Sequence, residues 1–200
     1  MPTIVVPFRG LHGKQRLAPL PEASRAALAA AMLADVVAAA NALGTTVVVA
    51  PTDAREAVVD AGAGRFVADP GSGQGAAVTA GLAELPDEPA LVVNADLPCV
   101  TAGDLAQLLD ALPAGGIALA AAADGTTNAL ALASPGLFQP VYGPGSAARF
   151  AALDLPVAAV AIPNLADDVD TLDDLHRLEP RLGPHTRSAH RLWAPAGAAA

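Results

Sequence analysis

Two acidic clusters, far apart in the chain, have the residue types and spacing of a site for a hard divalent cation. Asp96 follows the apolar run of residues 91–93, and Asp168 and Asp170 stand two apart directly before a predicted helix. Residues two apart in an extended segment point to the same side, and carboxylate oxygens suit Mg²⁺. A turn aspartate and a capped helix with acids in its first turn are the structural alternatives. Because capping does not account for Asp168, we expect the two clusters jointly to hold Mg²⁺ and the phosphates bound to it.

A group of cations in the loop after the first predicted strand has the composition of a polyphosphate site. Lys14 and Arg16 stand with Arg9 among glycines, in a chain that is otherwise short of basic residues. Backbone N–H groups and cationic side chains that face one point bind an anion. The segment is not a P-loop, since that motif needs Gly at Phe8 and Ser or Thr at Gln15. The alternative is a solvated basic surface loop.

A glycine-rich segment that begins at Asp69 lies between a predicted strand and a predicted helix. Residues 71–76 have the spacing G-x-G-x-x-A, which also occurs in dinucleotide-binding folds. Here the segment follows the third predicted strand rather than the first, and the acid that comes about twenty residues later, Asp96, lies in a turn. We therefore interpret Gly73 and Gly75 as positions where the backbone approaches a ligand closely. An NAD(P) oxidoreductase is a less favoured alternative.

Two small, donor-rich turns in the second half of the chain together resemble a second anion site, for an acceptor substrate. One contains Thr127 and Asn128, and the other contains Gly143 and Ser146. Ser146 opens a predicted helix, where backbone amides and a hydroxyl favour an anion. Each turn taken singly also fits an ordinary turn or helix cap. Cys99, by contrast, is expected to be a small buried hydrophobic residue.

Composition restricts the partners and the location of the protein. The 200 residues are 53% hydrophobic and 16% charged, with a net charge of −9 and one cysteine. This is a globular chain, and its negative charge argues against a nucleic acid or an anionic membrane as partner. We expect no intrachain disulfide and see no signal-peptide pattern, so the protein is predicted to be soluble and cytoplasmic. Asp35 and Asn41 interrupt the longest alanine-rich run, which we expect to fall short of a membrane span.

The elements that must position these residues alternate between short apolar runs and longer helical patterns. The first half predicts strands at residues 4–6, 46–50, 65–68 and 91–94 and helices at 21–43, 53–61, 76–85 and 101–112. The second half predicts strands at 117–122, 129–133 and 157–162 and helices at 147–153 and 171–178. Continuous apolar strands of this kind are typical of a mostly parallel sheet covered on both faces, a three-layer α/β/α fold. We expect one domain over residues 1–179 and a flexible tail over 180–200.

The order of the motifs resembles one family, the 2-phospholactate/phosphoenolpyruvate guanylyltransferases of coenzyme F420 biosynthesis. The resemblance covers roughly residues 3–178 and is carried, in chain order, by KQRLAP at 14–19, DPG at 69–71, ADLP at 95–98, GTTNAL at 125–130, GPGS at 143–146 and DVDT at 168–171. An ordered set is far more specific than any single motif. It implies a Rossmann-like α/β/α fold of the nucleotide-diphospho-sugar-transferase type, similar to that of the molybdenum cofactor guanylyltransferases.

The resemblance implies that the phosphate of phosphoenolpyruvate or 2-phospho-L-lactate attacks the α-phosphorus of GTP, and that pyrophosphate leaves. No general base is required, because the nucleophile is already an ionised phosphate. The residues that match the family's motifs have three implied roles. Those for Mg²⁺ are Asp96, Asp168 and Asp170; those for the acceptor are Thr127, Asn128, Gly143 and Ser146; those for the nucleotide are Pro7, Lys14, Arg16, Asp69, Gly73 and Gly75. Within this set, Lys14, Arg16 and Asp96 are the implied catalytic residues.

The chain also departs from the family's pattern. The family usually has Ser at Gln15 and Leu-Asn at Gln74-Gly75, and the second difference leaves open how strictly guanine is selected. Phosphoenolpyruvate is the favoured acceptor. The alternatives are another nucleotidyltransferase, for a molybdenum cofactor or a sugar phosphate, and a degenerate nucleotide-binding domain, against which the complete set of acids argues. The oligomeric state is not decided by the sequence, and a homodimer is one candidate.

Overall fold

The predicted strands form a single mixed sheet in the computed structural model, which describes residues 1–12, 17 and 19–193. Its seven strands are β1 (Thr3–Pro7), β2 (Thr45–Ala50), β3 (Arg65–Ala68), β4 (Ala90–Val93), β5 (Ile117–Ala121), β6 (Thr127–Leu132) and β7 (Val157–Ala159). They are ordered β3-β2-β1-β4-β6-β5-β7 across the sheet. All neighbouring pairs are parallel except those that β6 makes with β4 and β5. The expected mostly parallel sheet is confirmed.

Helices cover both faces of the sheet, because the strands are apolar at nearly every position. The helices are α1 (Glu22–Asn41), α2 (Arg55–Asp60), α3 (Gln74–Leu82), α4 (Ala102–Asp110), α5 (Ser146–Ala151), α6 (Pro163–Ala166), α7 (Leu172–Leu178) and α8 (Pro184–Trp193). In β1, Ile4 and Val6 pack with α1, α2, α4 and α6 on one face, while Val5 packs with α3 and α5 on the other. Successive strand residues point to opposite faces, so one strand serves both layers. The three-layer α/β/α fold is confirmed.

The reversed direction of β6 decides which residues reach the functional edge of the sheet. The carboxyl ends of β1, β3 and β4 lie at one edge, where ligands of such sheets bind. Because β6 pairs with β4 antiparallel, with Val93 opposite Ala129, its first residues lie at that same edge. Thr127 and Asn128 therefore lie beside the segment that follows β4.

The C-terminal segment departs in part from the expected flexible tail over residues 180–200: helix α8 covers residues 184–193, and residues 194–200 lie outside the described residues. Helix α8 packs along α1, and the carboxylate of Asp35 in α1 accepts hydrogen bonds from the backbone N–H groups of His185 and Thr186 at 3.0 and 2.9 Å. Thr186 and His190 are buried. The sequence did not predict α8, because the acid that caps it lies 150 residues away.

Helix α1 corrects a second expectation. By length and composition it is long and apolar enough to cross a membrane, although its run was expected to fall short. In this fold α1 packs against the sheet through Leu33, Val36 and Val37. The carboxylate of its buried Asp35 accepts the two hydrogen bonds from the start of α8. These contacts are those of a core helix in a layered α/β protein.

Candidate active site

A cleft of about 790 Å³ opens at the edge of the sheet where β1, β3 and β4 end and β6 begins. Most of the residues singled out in the sequence line it: Pro7, Asp69, Gly73, Asp96, Thr127, Asn128, Gly143, Ser146, Asp168 and Asp170. Gly75 lines an adjoining cleft of about 780 Å³ that shares Gly73 and Gly143 with the first. Lys14 and Arg16 lie outside the described residues. The structure thus gathers residues from six separate segments into one concave surface.

The three acids of the predicted metal site lie together. One carboxylate oxygen each of Asp96, Asp168 and Asp170 lies within 4.8 Å of the other two. A backbone hydrogen bond of 3.1 Å from the N–H of Val169 to the carbonyl of Asp96 joins the two segments, and the Val169 side chain is fully buried. The extended backbone on either side of this anchor presents Asp168 and Asp170 to the same cleft.

The electrostatics of this cluster fit a bound cation. Burial raises the pKa of Asp168, and the negative charges of Asp96 and then Asp170 raise it further, although a hydrogen bond from Asn128 opposes them. A divalent cation would attract all three carboxylates and so offset the repulsion among them. All three side chains offer oxygen ligands, which hard cations prefer. The donor set therefore fits a metal such as Mg²⁺ or Mn²⁺.

The cap of α7 shows why these acids are available. Thr171 is the N-cap residue: its hydroxyl accepts a hydrogen bond from the N–H of Asp174 at 3.2 Å, and Asp174 accepts one from the N–H of Thr171 at 2.9 Å. This reciprocal capping box stabilises the helix without the side chain of Asp170. Helix capping was the structural alternative to metal binding for the second acidic cluster. Thr171 and Asp174 provide that cap, so it does not account for Asp168 and Asp170.

A chain of amide side chains crosses the floor of the cleft and ends at the acids. The side-chain N–H of Gln74, at the start of α3, donates to Asn94 at 2.7 Å, and Asn94 donates to the side-chain oxygen of Asn128 at 3.1 Å. Asn128 in turn donates to Asp168 at 3.3 Å. This chain orients Asp168 and connects the proposed nucleotide side of the cleft to the metal site.

The proposed acceptor residues form a second polar group beside the acids. The hydroxyls of Ser146 and Thr127 are hydrogen-bonded to each other at 3.1 Å, and both residues are almost completely buried at the cleft wall. Gly143 lines the cleft next to them. Buried hydroxyls at the wall of a concave site are typical groups for fixing the orientation of a small polar ligand.

Gly75, at the start of α3, lies so close to Pro140 that a larger residue does not fit there. A Cβ atom at this position would lie 2.8 Å from the Cβ of Pro140, closer than non-bonded carbon atoms approach. The absence of a side chain lets the segment before α5 pack against the start of α3. Any side chain at this position would push this segment away, so Gly75 and Pro140 constrain each other.

Sequence reasoning gave no site role to Asn94 and treated Arg9 only as one cation of the predicted polyphosphate loop, yet the structure places both in the cleft. Asn94 is in the middle of the amide chain, and Arg9 is the only basic side chain among the described residues that line either cleft. A polar amide directly after the buried strand β4 was the available signal for Asn94. Arg9 was noted only as one cation of its loop, and its exposed side chain gave no further indication.

The comparisons with known proteins agree with this geometry. The model of the MobA-like NTP transferase domain family matches residues 21–159. This chain belongs to that family. It is therefore a nucleotidyltransferase. A phosphoenolpyruvate guanylyltransferase of Streptomyces scabiei is 38% identical, over 94% of this chain and 94% of its own length.

A second relative agrees with this family, and a solved structure agrees with the fold. A phosphoenolpyruvate guanylyltransferase of Geodermatophilus obscurus is 34% identical, over 92% of this chain and 91% of its own length. A crystal structure from Desulfovibrio desulfuricans, assigned as a nucleotide-diphospho-sugar transferase, superposes with a TM-score of 0.75 at 18% identity and covers 96% of this chain and 95% of its own. At that identity the likeness concerns the fold, and it matches the expected type.

Proposed function

We propose that this protein transfers GMP from GTP to the phosphate of phosphoenolpyruvate, with release of pyrophosphate, as a step in coenzyme F420 biosynthesis. The observation that carries the proposal is the placement of a three-carboxylate cluster beside the buried hydroxyls of Thr127 and Ser146 in one cleft. The names of the relatives from Streptomyces scabiei and Geodermatophilus obscurus support the choice of reaction and acceptor. The reactants are soluble metabolites, which supports a cytoplasmic location.

Mg²⁺ is the proposed metal, held by Asp96, Asp168 and Asp170. When bound, it supplies positive charge to the phosphates and draws them to a cleft that five aspartates would otherwise make repulsive to anions. Asn128 keeps Asp168 oriented through its 3.3 Å hydrogen bond. The same bond stabilises the ionised carboxylate, which is the form that binds a metal.

The chain's own residues bind and align two anions. Arg9, together with Lys14 and Arg16 of the same loop, is proposed to bind the triphosphate. Asp69, Gly73 and Gly75, with Pro7, are proposed to contact the nucleoside. Thr127, Asn128, Gly143 and Ser146 are proposed to hold the phosphate and carboxylate of the acceptor.

The reaction requires one bond to form and one to break. An oxygen of the acceptor phosphate bonds to the α-phosphorus of GTP, and the bond from that phosphorus to the bridging oxygen of the β-phosphate breaks, so that pyrophosphate carries away the electron pair. No proton needs to be removed from the nucleophile at neutral pH. Catalysis is therefore alignment of the two phosphates and neutralisation of their charge.

A matrix of nucleotides and acceptors tests the proposal. Purified protein is incubated with Mg²⁺ and GTP, ATP or CTP, each with phosphoenolpyruvate, with 2-phospho-L-lactate or with no acceptor, and pyrophosphate release is followed. We expect release with GTP and phosphoenolpyruvate and none without acceptor. Release only with 2-phospho-L-lactate would keep the reaction and change the acceptor. Equal rates with all three nucleotides would contradict guanine selection, and no release in any combination would contradict the proposed reaction.

A further inference from the structure

We propose that Arg149 is a positioning residue that fixes the shape of the acceptor-site loop, residues 141–144. All three nitrogens of its guanidinium donate to backbone carbonyls of this loop: Nε to Val141 at 3.0 Å, Nη1 to Pro144 at 2.6 Å and Nη2 to Tyr142 at 3.1 Å. Arg149 does not line either cleft among the described residues. It therefore acts on a ligand only through the loop.

The loop that Arg149 holds carries part of the proposed acceptor site. Gly143 lies inside it with a φ of +111°, which L side chains rarely adopt, and its carbonyl accepts a hydrogen bond from the N–H of Ser146 at 2.9 Å. Both residues line the cleft. A displacement of the loop would therefore move Gly143 and shift the hydroxyl of Ser146 away from that of Thr127.

The residue after Arg149 also contacts this loop. The ring of Phe150 packs edge-on against Tyr142 at 5.4 Å between ring centres and also contacts Phe138 at 6.4 Å. Adjacent residues of α5 thus fix the carbonyls of the loop and its one aromatic side chain. Because one side chain holds three carbonyls, Arg149 constrains the loop backbone more than an ordinary surface arginine does.

The three hydrogen bonds by which Arg149 holds the loop, here called the clamp, require arginine rather than positive charge alone. A guanidinium is a rigid planar fork whose donors point in fixed directions, so it spans three carbonyls at once. A lysine ammonium has the same charge, but its donors radiate from one nitrogen atom and cannot reach all three. A loop released from the clamp spends less time in the binding-competent shape, and the apparent dissociation constant rises in inverse proportion to that fraction.

The kinetic test rests on the proposed function and compares three variants. We expect Arg149→Gln to raise the KM for phosphoenolpyruvate roughly ten-fold, while the KM for GTP stays within about two-fold, and Arg149→Lys to behave in the same way. Arg187→Gln is the matched control, because Arg187 also donates to backbone carbonyls, those of Leu182 at 2.7 Å and Pro180 at 3.5 Å, but it belongs to α8 and lines neither cleft. Its KM values should match those of the wild type.

Three results would overturn the proposal. They are an unchanged acceptor KM in Arg149→Gln, an equal rise in both KM values, and full recovery in Arg149→Lys, which would assign the effect to charge.

Hydrogen–deuterium exchange separates this proposal from the proposed function. In the protein without substrates, we expect the backbone N–H groups of the peptide 141–146, where Pro144 has none, to exchange several-fold faster in Arg149→Gln than in the wild type, with unchanged exchange in α8. Arg187→Gln should leave this peptide as it is in the wild type. If the wild-type protein releases no pyrophosphate, the proposed function fails while faster exchange still supports the clamp. Unchanged exchange in Arg149→Gln would overturn the clamp whatever the activity.

Discussion

Replacing Asp168 by asparagine should have opposite effects on activity and on stability. Asparagine has nearly the same shape, and its side-chain oxygen still accepts the hydrogen bond from Asn128. The substitution removes one negative charge from a cluster in which the carboxylate oxygens lie within 4.8 Å of one another. It therefore removes a metal ligand and, in the metal-free protein, a source of repulsion.

The size of both effects follows from the geometry. Two unit charges separated by 4.8 Å repel by about 3.5 kcal/mol at an effective dielectric constant of about 20. Because the acids are partly exposed, screening reduces this, and we expect Asp168→Asn to gain about 1–2 kcal/mol in the metal-free protein. For a domain of this size that gain corresponds to an increase in Tm of about 2–8 °C. Loss of the ligand should lower kcat/KM by roughly 10²–10³-fold.

The pH dependence of the stability gain has a definite sign. The pKa of Asp168 is raised above its usual value of 3.8, mainly by burial and then by Asp96, so the folded protein binds the proton more tightly than the unfolded chain. The ionised carboxylate therefore destabilises the fold above its folded-state pKa. The gain from asparagine should be full at neutral pH and should shrink as the pH falls towards 3.8.

Thermal melts and turnover assays check this prediction together. Both are measured for wild type, Asp168→Asn and the control Asp173→Asn, in EDTA and in Mg²⁺; Asp173 is an exposed acid in the first turn of α7 and lies outside the cluster. Mg²⁺ should raise the Tm of the wild type and of the control more than that of Asp168→Asn. A variant that is inactive and also less stable in EDTA would refute the reasoning, because it would show that Asp168 serves the fold.

Three further predictions concern single side chains. Ser146→Ala should raise the KM for the acceptor by roughly 10–100-fold and that for GTP far less, since one hydrogen bond to a charged ligand is lost; a parallel rise in both would exclude Ser146 from the acceptor site. Asp35→Ala should lower the free energy of unfolding by about 2–4 kcal/mol in urea titrations, because one buried and one partly buried N–H group at the start of α8 lose their acceptor; an unchanged midpoint would contradict this. Although burial raises the pKa of Asp174, hydrogen bonds from Thr171 and Arg177 hold it below 3.8, so the stability advantage of the wild type over Asp174→Asn should disappear as the pH falls below 3.8; a constant difference would show that its charge is not involved.

Local patterns were sufficient to predict most of the fold. The runs that became β1, β2 and β4 are apolar at nearly every position, which indicates strands buried on both faces. The predicted strand at 157–162 pairs with β5 only over Val157–Ala159, so sequence overestimated its length. Helix α8 was missed because the contacts that stabilise it, above all those with Asp35, come from a distant helix.

Prediction of the site depended on whether a residue's role is visible in its own segment. Asp96, Asp168 and Asp170 attracted attention because acids at strand ends are poorly suited to packing. Asn94 and Arg149 did not, since their roles arise from contacts with residues elsewhere, such as the hydrogen bond from Asn94 to Asn128, 34 positions away. An exposed arginine on a short helix has the appearance of an ordinary surface residue until its three carbonyl partners are known.

The most direct test of the central claim follows the label of [α-³²P]GTP in the presence of phosphoenolpyruvate and Mg²⁺. The account predicts one labelled product whose mass equals that of GTP plus phosphoenolpyruvate minus pyrophosphate. This product should form with wild type and Asp173→Asn, and roughly 10²–10³-fold more slowly with Asp168→Asn. Label recovered only as GMP or unreacted GTP with the wild type, or product formation that survives in Asp168→Asn at the wild-type rate, would contradict the account.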